Sequence, residues 1–253
     1  MGPIVNKLPI LLTSSVVAMD TSVELRDQNL RISYTLESLN EWMRIAPKNK
    51  FVICDGSGYD FSHLVKESFP NANIECLFFK NQIDMVRLHG KGYGEGEIIL
   101  YALANSTYLN DAPCFAKCTA KLWVDNYQKC ALEWNGKFLC KAYFSNVFSW
   151  KPLKLEYIDT RFYLINKNIY MNYFANAHLL TNSSNKVVIE EEFLKIALKE
   201  KLSHIVFRNP PVICGVGGGS GLYYKNSRLR RAKEILRSKI ASANSKFQFL
   251  FNH

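Results

Sequence analysis

The feature that most limits how this chain can fold lies in its first eighty residues. There, short apolar runs alternate with amphipathic stretches, and the first two runs stop at loops of small polar residues. "LPILLTSS" ends on Thr13-Ser14-Ser15, "KFVICDGSG" ends on Asp55-Gly56-Ser57-Gly58, and "NIECLFF" is a third run. Between them, "LRISYTLESLNEWM" sets Ile32, Tyr34, Leu36, Leu39 and Met43 near helical spacing before Pro47, and "HLVKESF" reads as a shorter helix stopped by Pro70. Parallel neighbours need crossover connections, so this order predicts an α/β fold: a mostly parallel central sheet with helices on both faces. Ligands of such sheets sit beyond the carboxyl ends of the strands. The loops at 13–15 and 54–58, and the glycine-spaced stretch "HGKGYGEGEIILYAL" from His89 to Leu103, are therefore the places to look.

Further on, "CFAKCTAKLWVDN" alternates as one strand that carries Lys117, Thr119 and Lys121 on a single face and ends at Asp125-Asn126. "KFLCKAYFSNVFSW" and "YIDTRFYLINKNIY" are strand-like and aromatic-rich. "IEEEFLKIALKEKL" is a helix with Glu190, Glu191 and Glu192 in its first turn, where the helix dipole favours acids. "HIVFRNPPVICGVGGGSGLYY" is a strand broken by two prolines and then by glycines, and Lys225 to Asn244 form a basic amphipathic helix. With 253 residues, one core is expected. The expected division is a main domain over 1–224 and a basic helix and tail over 225–253, packed on it or extending from it.

Composition excludes a disordered chain, since 48% of residues are hydrophobic and 13% aromatic. The net charge of +10 draws the molecule to anions such as nucleotide phosphates, nucleic acid or an acidic membrane face. Seven cysteines without paired C-x-x-C spacing fit a reduced, cytoplasmic setting better than a disulfide framework or a zinc site. The early apolar run is too short to span a bilayer, and only Lys7 precedes it, so a buried first strand is expected rather than a signal peptide.

Each candidate site has a plain alternative. The glycines of 90–96 match neither the Walker pattern nor the dinucleotide fingerprint. They suggest a loop that brings main-chain N–H groups to an anion at a helix start, beside Lys91, with Glu95 and Glu97 near the first turn; a purely structural turn stays open. Asp55 and Ser57 either hold a base or ribose or make an ordinary turn. Glu190 is either a general base or part of a solvated helix start. "GVGGGSGLYYKN" suggests an anion-binding nest with Ser220, Tyr224 and Lys225 as donors, or a lid. The tail helix suits an acidic membrane surface, nucleic acid or solvent.

Read in order, "LLTSSV", "VICDGSGYDFS", "GKGYGEGEIILYAL", "FAKCTAKLWVDN", and "YIDTRFYLINKNIY" followed by "IEEEF" and "GGGSGLYYK" resemble small sugar transferases of surface-polysaccharide gene clusters, of the capsule and O-antigen type. That family more often has F-F-K-I-T-G-R in the fourth piece, from which Ala120 and Lys121 depart conservatively. The resemblance implies a nucleotide-sugar glycosyltransferase, hexosyl- or pentosyl-, with the single-domain A-type nucleotide-diphospho-sugar fold. It would act in polysaccharide biosynthesis, inverting, with a glycan hydroxyl as acceptor. On this reading Thr13, Asp55, Ser57, Lys91, Gly92, Tyr93, Gly94, Glu95, Glu97 and Thr119 bind the donor. Lys117, Lys121, Arg161, Ser220 and Lys225 meet its phosphates, and Asp159 or Glu190 is the base. The chain has no Asp-x-Asp pair. If Mg2+ or Mn2+ is used, Asp125 or Asp159 is its candidate ligand; if not, the Arg161 guanidinium can neutralise the diphosphate. Peripheral membrane contact through the basic helix is expected and nucleic acid is not. The alternatives are a non-catalytic nucleic-acid-binding protein and a nucleotidyltransferase on a related sheet.

Overall fold

A computed structural model describes residues 8–20 and 22–251; Lys7, from the leader argument, and the last two residues of the tail lie outside the described residues. The chain runs β1 (Ile10–Ser14), α1 (Gln28–Ile45), β2 (Phe51–Asp55), α2 (Ser62–Ser68), β3 (Ile74–Phe78), α3 (Ile83–His89), α4 (Lys91–Asn105) and α5 (Thr107–Asn110). It continues through β4 (Cys114–Thr119), β5 (Leu122–Val124), α6 (Tyr127–Leu132), β6 (Phe138–Ser145), β7 (Lys154–Asn166), α7 (Lys167–Ile169), α8 (Ile189–Lys199), β8 (Ile213–Val216), β9 (Tyr223–Tyr224) and α9 (Arg228–Ala243).

Six strands form the main sheet in the order β3-β2-β1-β4-β7-β6. The first four are parallel; β7 runs antiparallel to β4, and β6 antiparallel to β7. The expected mostly parallel sheet is therefore present, with an antiparallel pair on one flank. Alternation within β1 explains the two layers. Ile10 and Leu12 face one core with Leu39 and Trp42 of α1, while Leu11 faces the other with Ile98, Ile99 and Ala102 of α4 and Phe193 of α8. Helices thus cover both faces. α1 begins where the Asp27 side chain accepts from the Leu30 N–H at 2.9 Å, and ends just before Pro47.

Two local expectations are corrected. "CFAKCTAKLWVDN" is not one strand, because the chain turns at Ala120-Lys121 and β5 joins a second sheet in the order β5-β8-β9. The side chains of Ser38 and Trp42 both donate to the Leu122 carbonyl, at 2.7 and 3.0 Å, and the Val216 N–H takes the Lys121 carbonyl, so this segment is held away from the edge of β4. The glycine-spaced stretch is not a loop either. Gly90, at φ +86°, makes the break between α3 and α4, and Gly92, Gly94 and Gly96 lie inside α4. Side chains there would run into Ile189, Asn81 and His178 respectively, so these glycines let the helix pack closely.

Ser238 of α9 donates to the Arg208 carbonyl at 3.1 Å, Glu234 pairs with Lys141 of β6 at 2.5 Å, and Ala241 is fully buried. The described part of the tail is packed on the rest of the molecule. No helix among the described residues is long and apolar enough to cross a membrane.

Candidate active site

A cleft of about 320 Å³ opens at the carboxyl ends of β1 and β4. Its walls carry Thr13 and Ser14 from β1, Arg31 from α1, Lys91, Gly94 and Glu95 from α4, Thr119 at the end of β4 and Lys121 after it, Arg161 from β7 and Glu190 from α8. Gly217 to Ser220 and Tyr224 close the far side. Parallel register produces the convergence: Ser14 lies opposite Asp55, and Thr13 opposite both Cys54 and Thr119, so neighbouring strands deliver their loops to one place.

Of the residues picked out from sequence, Thr13, Lys91, Gly94, Glu95, Thr119, Lys121, Arg161, Glu190 and Ser220 line this cleft. Others are placed elsewhere. Asp55 is fully buried, and its carboxylate accepts from the main chains of Val16, Ser57 and Tyr59 at 2.9, 2.8 and 3.2 Å and from the Ser57 hydroxyl at 2.6 Å. With those bonds made, Asp55 and Ser57 fix the loops after β1 and β2 and do not line the cleft. Lys117 is also enclosed, bonded to Glu95 and, at 2.8 Å, to the Thr160 carbonyl; it steadies Glu95 from behind. Gly92, Tyr93 and Glu97 face the 178–189 segment, where His178 Nε2 lies 3.1 Å from Glu97 and Tyr93 sits between His89 and His178. Lys225 is exposed and outside the cleft.

The first turn of α4 does not present a vacant anion site: the Lys91 N–H donates to Asp20 at 2.9 Å. Burial works to raise the Asp20 carboxyl, but hydrogen bonds from Ser22 and Lys91 outweigh it and hold the group below its usual range. Asp159 is held in the same way. Burial opposes its charge, and the Arg161 guanidinium, forked onto both its oxygens at 2.8 and 2.6 Å, prevails and keeps it below its usual range. Such a carboxylate is a poor base, and Asp159 does not line the cleft. Glu190 does, and no hydrogen bond or ion pair of its carboxylate is found among the described residues.

The proposed metal ligands do not fit a cation. Asp125 lies away from the cleft, bonded to Arg231 at 3.0 Å and Asn226 at 2.8 Å, and Asp159 is taken by Arg161. Among the described residues, no three His, Cys, Asp or Glu side chains converge as a metal site. All seven cysteines are free.

Two cleft residues, Arg31 and Asn81, were missed in the sequence, and Ser14 was reached only as part of the 13–15 loop. Arg31 has its guanidinium on the carbonyls of Ser15, Leu25 and Gly218. Asn81 Oδ1 and Ser14 Oγ are buried in the cleft wall, and among the described residues neither has a hydrogen-bond partner. With Thr35, Ser38, Leu39 and Trp42, Arg31 belongs to the inward stripe of α1.

No protein-family model matches the chain, and no curated protein does. Several solved structures are similar to it in backbone. The galactosyltransferase LgtC, in complex with donor and acceptor sugar analogues, is 9% identical with a TM-score of 0.45, covering 66% of this chain and 61% of that one. The WbbM bifunctional glycosyltransferase is 10% identical with a TM-score of 0.47, covering 94% and 45%. The 4-diphosphocytidyl-2C-methyl-D-erythritol synthase of Anaerococcus prevotii is 9% identical with a TM-score of 0.44, covering 91% and 97%. The chain thus spans about 61% of the length of the galactosyltransferase. The likeness is one of backbone course at low identity.

Proposed function

We infer that the chain is a glycosyltransferase that moves a sugar from a nucleoside diphosphate to a hydroxyl of a growing glycan, with inversion. One observation carries this reading: a single cleft at the carboxyl ends of parallel strands joins buried cations, Arg31 and Lys121, to a carboxylate without an internal partner, Glu190. Cations hold a phosphate leaving group, and a free carboxylate deprotonates an attacking hydroxyl. In the step proposed, the acceptor oxygen bonds to the anomeric carbon and its proton passes to Glu190. The bond from that carbon to the phosphate oxygen breaks on the opposite face, and its electron pair leaves with the nucleoside diphosphate. Asn81, Ser14, Thr13 and Thr119 supply polar contacts for the donor's nucleoside or sugar. Because the candidate metal ligands are engaged elsewhere, no part of the step is assigned to a metal.

A panel of nucleotide sugars tests this. The expected result is slow hydrolysis of one donor by the protein alone and transfer when glycan acceptors are added, with hexosyl and pentosyl donors compared in the same panel. Glu190→Gln should keep donor binding and lower turnover by about 10²–10⁴-fold. Undiminished turnover in that variant removes Glu190 as the base, and pyrophosphate release from a nucleoside triphosphate replaces glycosyl with nucleotidyl transfer.

A further inference from the structure

Two buried cations in the cleft have no anion of their own. Lys121 is 2% exposed, and among the described residues no hydrogen bond or carboxylate reaches its ammonium. Arg31 is 5% exposed, and among the described residues its guanidinium bonds main-chain carbonyls alone, at 2.7, 2.7 and 3.1 Å. Asp55 is the carboxylate whose charge both feel, but its hydrogen bonds are already made to Val16, Ser57 and Tyr59. Two desolvated cations therefore share the field of one anion, an arrangement that is costly unless a ligand supplies the missing charge.

The glycine loop after β8 brings a third cation to the same place. A Cβ on Gly218 would sit 3.0 Å from Lys121 Cε and 4.0 Å from Arg31 Nη2, and one on Gly219 would sit 3.1 Å from Lys91 Nζ. The main chain of 218–219 thus passes close to the ends of Lys121, Arg31 and Lys91, which places these three cations on one stretch of the cleft wall. The Ser14 hydroxyl, buried and without a partner among the described residues, lines the same cleft.

We propose that Arg31 and Lys121, with Lys91 at the mouth, bind the diphosphate bridge of a nucleoside diphosphate directly, in the role a divalent cation would otherwise fill. The proposal rests on the reading of the cleft as a nucleotide-sugar site and names the groups that grip the donor. As the bond to the sugar breaks, the new negative charge on the terminal phosphate oxygen is matched by the Lys121 ammonium, which keeps its proton.

Calorimetric titration of the full chain tests it, with UDP, GDP, CDP, ADP, dTDP and inorganic pyrophosphate as probes, in excess EDTA and again with Mg2+ or Mn2+. At least one nucleoside diphosphate should bind in EDTA. Lys121→Met should weaken that binding about thirtyfold or more, and Lys121→Arg should restore most of it. Ligand-free Lys121→Met should melt no lower than the parent, since it removes a buried charge that has no partner; a merely structural lysine would lower the melting point. Arg31→Gln should bind as poorly, but Arg31 also ties two loops, so Lys121→Met carries the test. Diphosphate binding that requires metal and is unchanged in Lys121→Met overturns this site while the transferase reading stands. Pyrophosphate bound in EDTA and lost in Lys121→Met, with no nucleotide sugar turned over, upholds the site and removes the transferase reading. A parent protein that binds no diphosphate in either condition overturns both.

Discussion

Lys121 and Lys117 stand four residues apart in one alternating stretch, and burial separates their roles. Lys117 has Glu95 as its counter-ion, whereas among the described residues no carboxylate reaches the Lys121 ammonium; burial, followed by the repulsion of Arg31 and opposed by the more distant charge of Asp55, pushes it down to about 7. The other charged groups lining the cleft with it are Asp20, Lys91, Glu95, Arg161 and Glu190. A lysine whose folded value lies below its unfolded one binds its proton less readily in the native state, so its contribution to stability rises with pH between about 7 and about 10. Thermal melts should show this as a difference: the parent gains on Lys121→Met as pH rises through that window. Diphosphate binding should show the opposite slope, because the ligand calls the proton back, and affinity should fall by up to about tenfold per pH unit above 7. Lys121→Arg, which does not titrate there, should bind with a flat profile; a parent profile equally flat would mean that Lys121 does not meet the ligand's charge. Sequence alone put Lys117 and Lys121 on one face with Thr119, because alternation assigns a face but not a partner. Arg31 was not legible because the face of α1 that is buried, Arg31, Thr35, Ser38, Leu39 and Trp42, is mostly polar and is offset from the apolar spacing of Ile32, Tyr34, Leu36 and Met43.

At the level of elements, α4 carries the clearest difference between pattern and structure. Alternate glycines read as a loop because each lowers helix propensity by about 1 kcal/mol relative to alanine. The helix forms nonetheless, because tertiary contacts to Asn81, Thr181, Ile189 and His178 use the space that missing side chains leave. A local helical pattern does not show those contacts, since Asn81 lies outside the helix and Thr181, Ile189 and His178 come from a segment more than eighty residues on. Gly96→Ala tests the balance. Propensity alone predicts stabilisation, but a Cβ at 96 would meet the Cβ and ring of His178, so the variant should be destabilised by about 1–2 kcal/mol in a denaturant titration. A more stable variant would mean that the 178–189 segment yields freely. Gly90→Ala should also destabilise, because φ of +86° is open to glycine and strained for alanine.

Across the whole molecule, the mostly parallel sheet was legible because burial on both faces imposes continuous apolar runs on β1 and β2, and crossovers impose the helices between strands. The antiparallel flank was not, because β6 and β7 carry aromatic runs that suit either direction, and their hairpin has no short glycine turn to declare it. What the assembled fold adds is a link between two loops distant in sequence. The Glu24 N–H donates to the Gly219 carbonyl at 2.8 Å, and Arg31 binds Ser15 and Leu25 on one side and Gly218 on the other. Segments 15–20 and 22–27 are therefore joined to 217–221 by one main-chain hydrogen bond and one guanidinium, and a diphosphate seated on Arg31 and Lys121 would add a bridge between them. Hydrogen exchange should record this as a joint change: on adding the nucleoside diphosphate that binds, amides in both loops gain protection together, while those of β2 and β4 do not change. In Arg31→Gln, with ligand raised to saturation, the gain should be confined to 217–221. Protection that rises in both loops of that variant as it does in the parent would show that the loops close without Arg31.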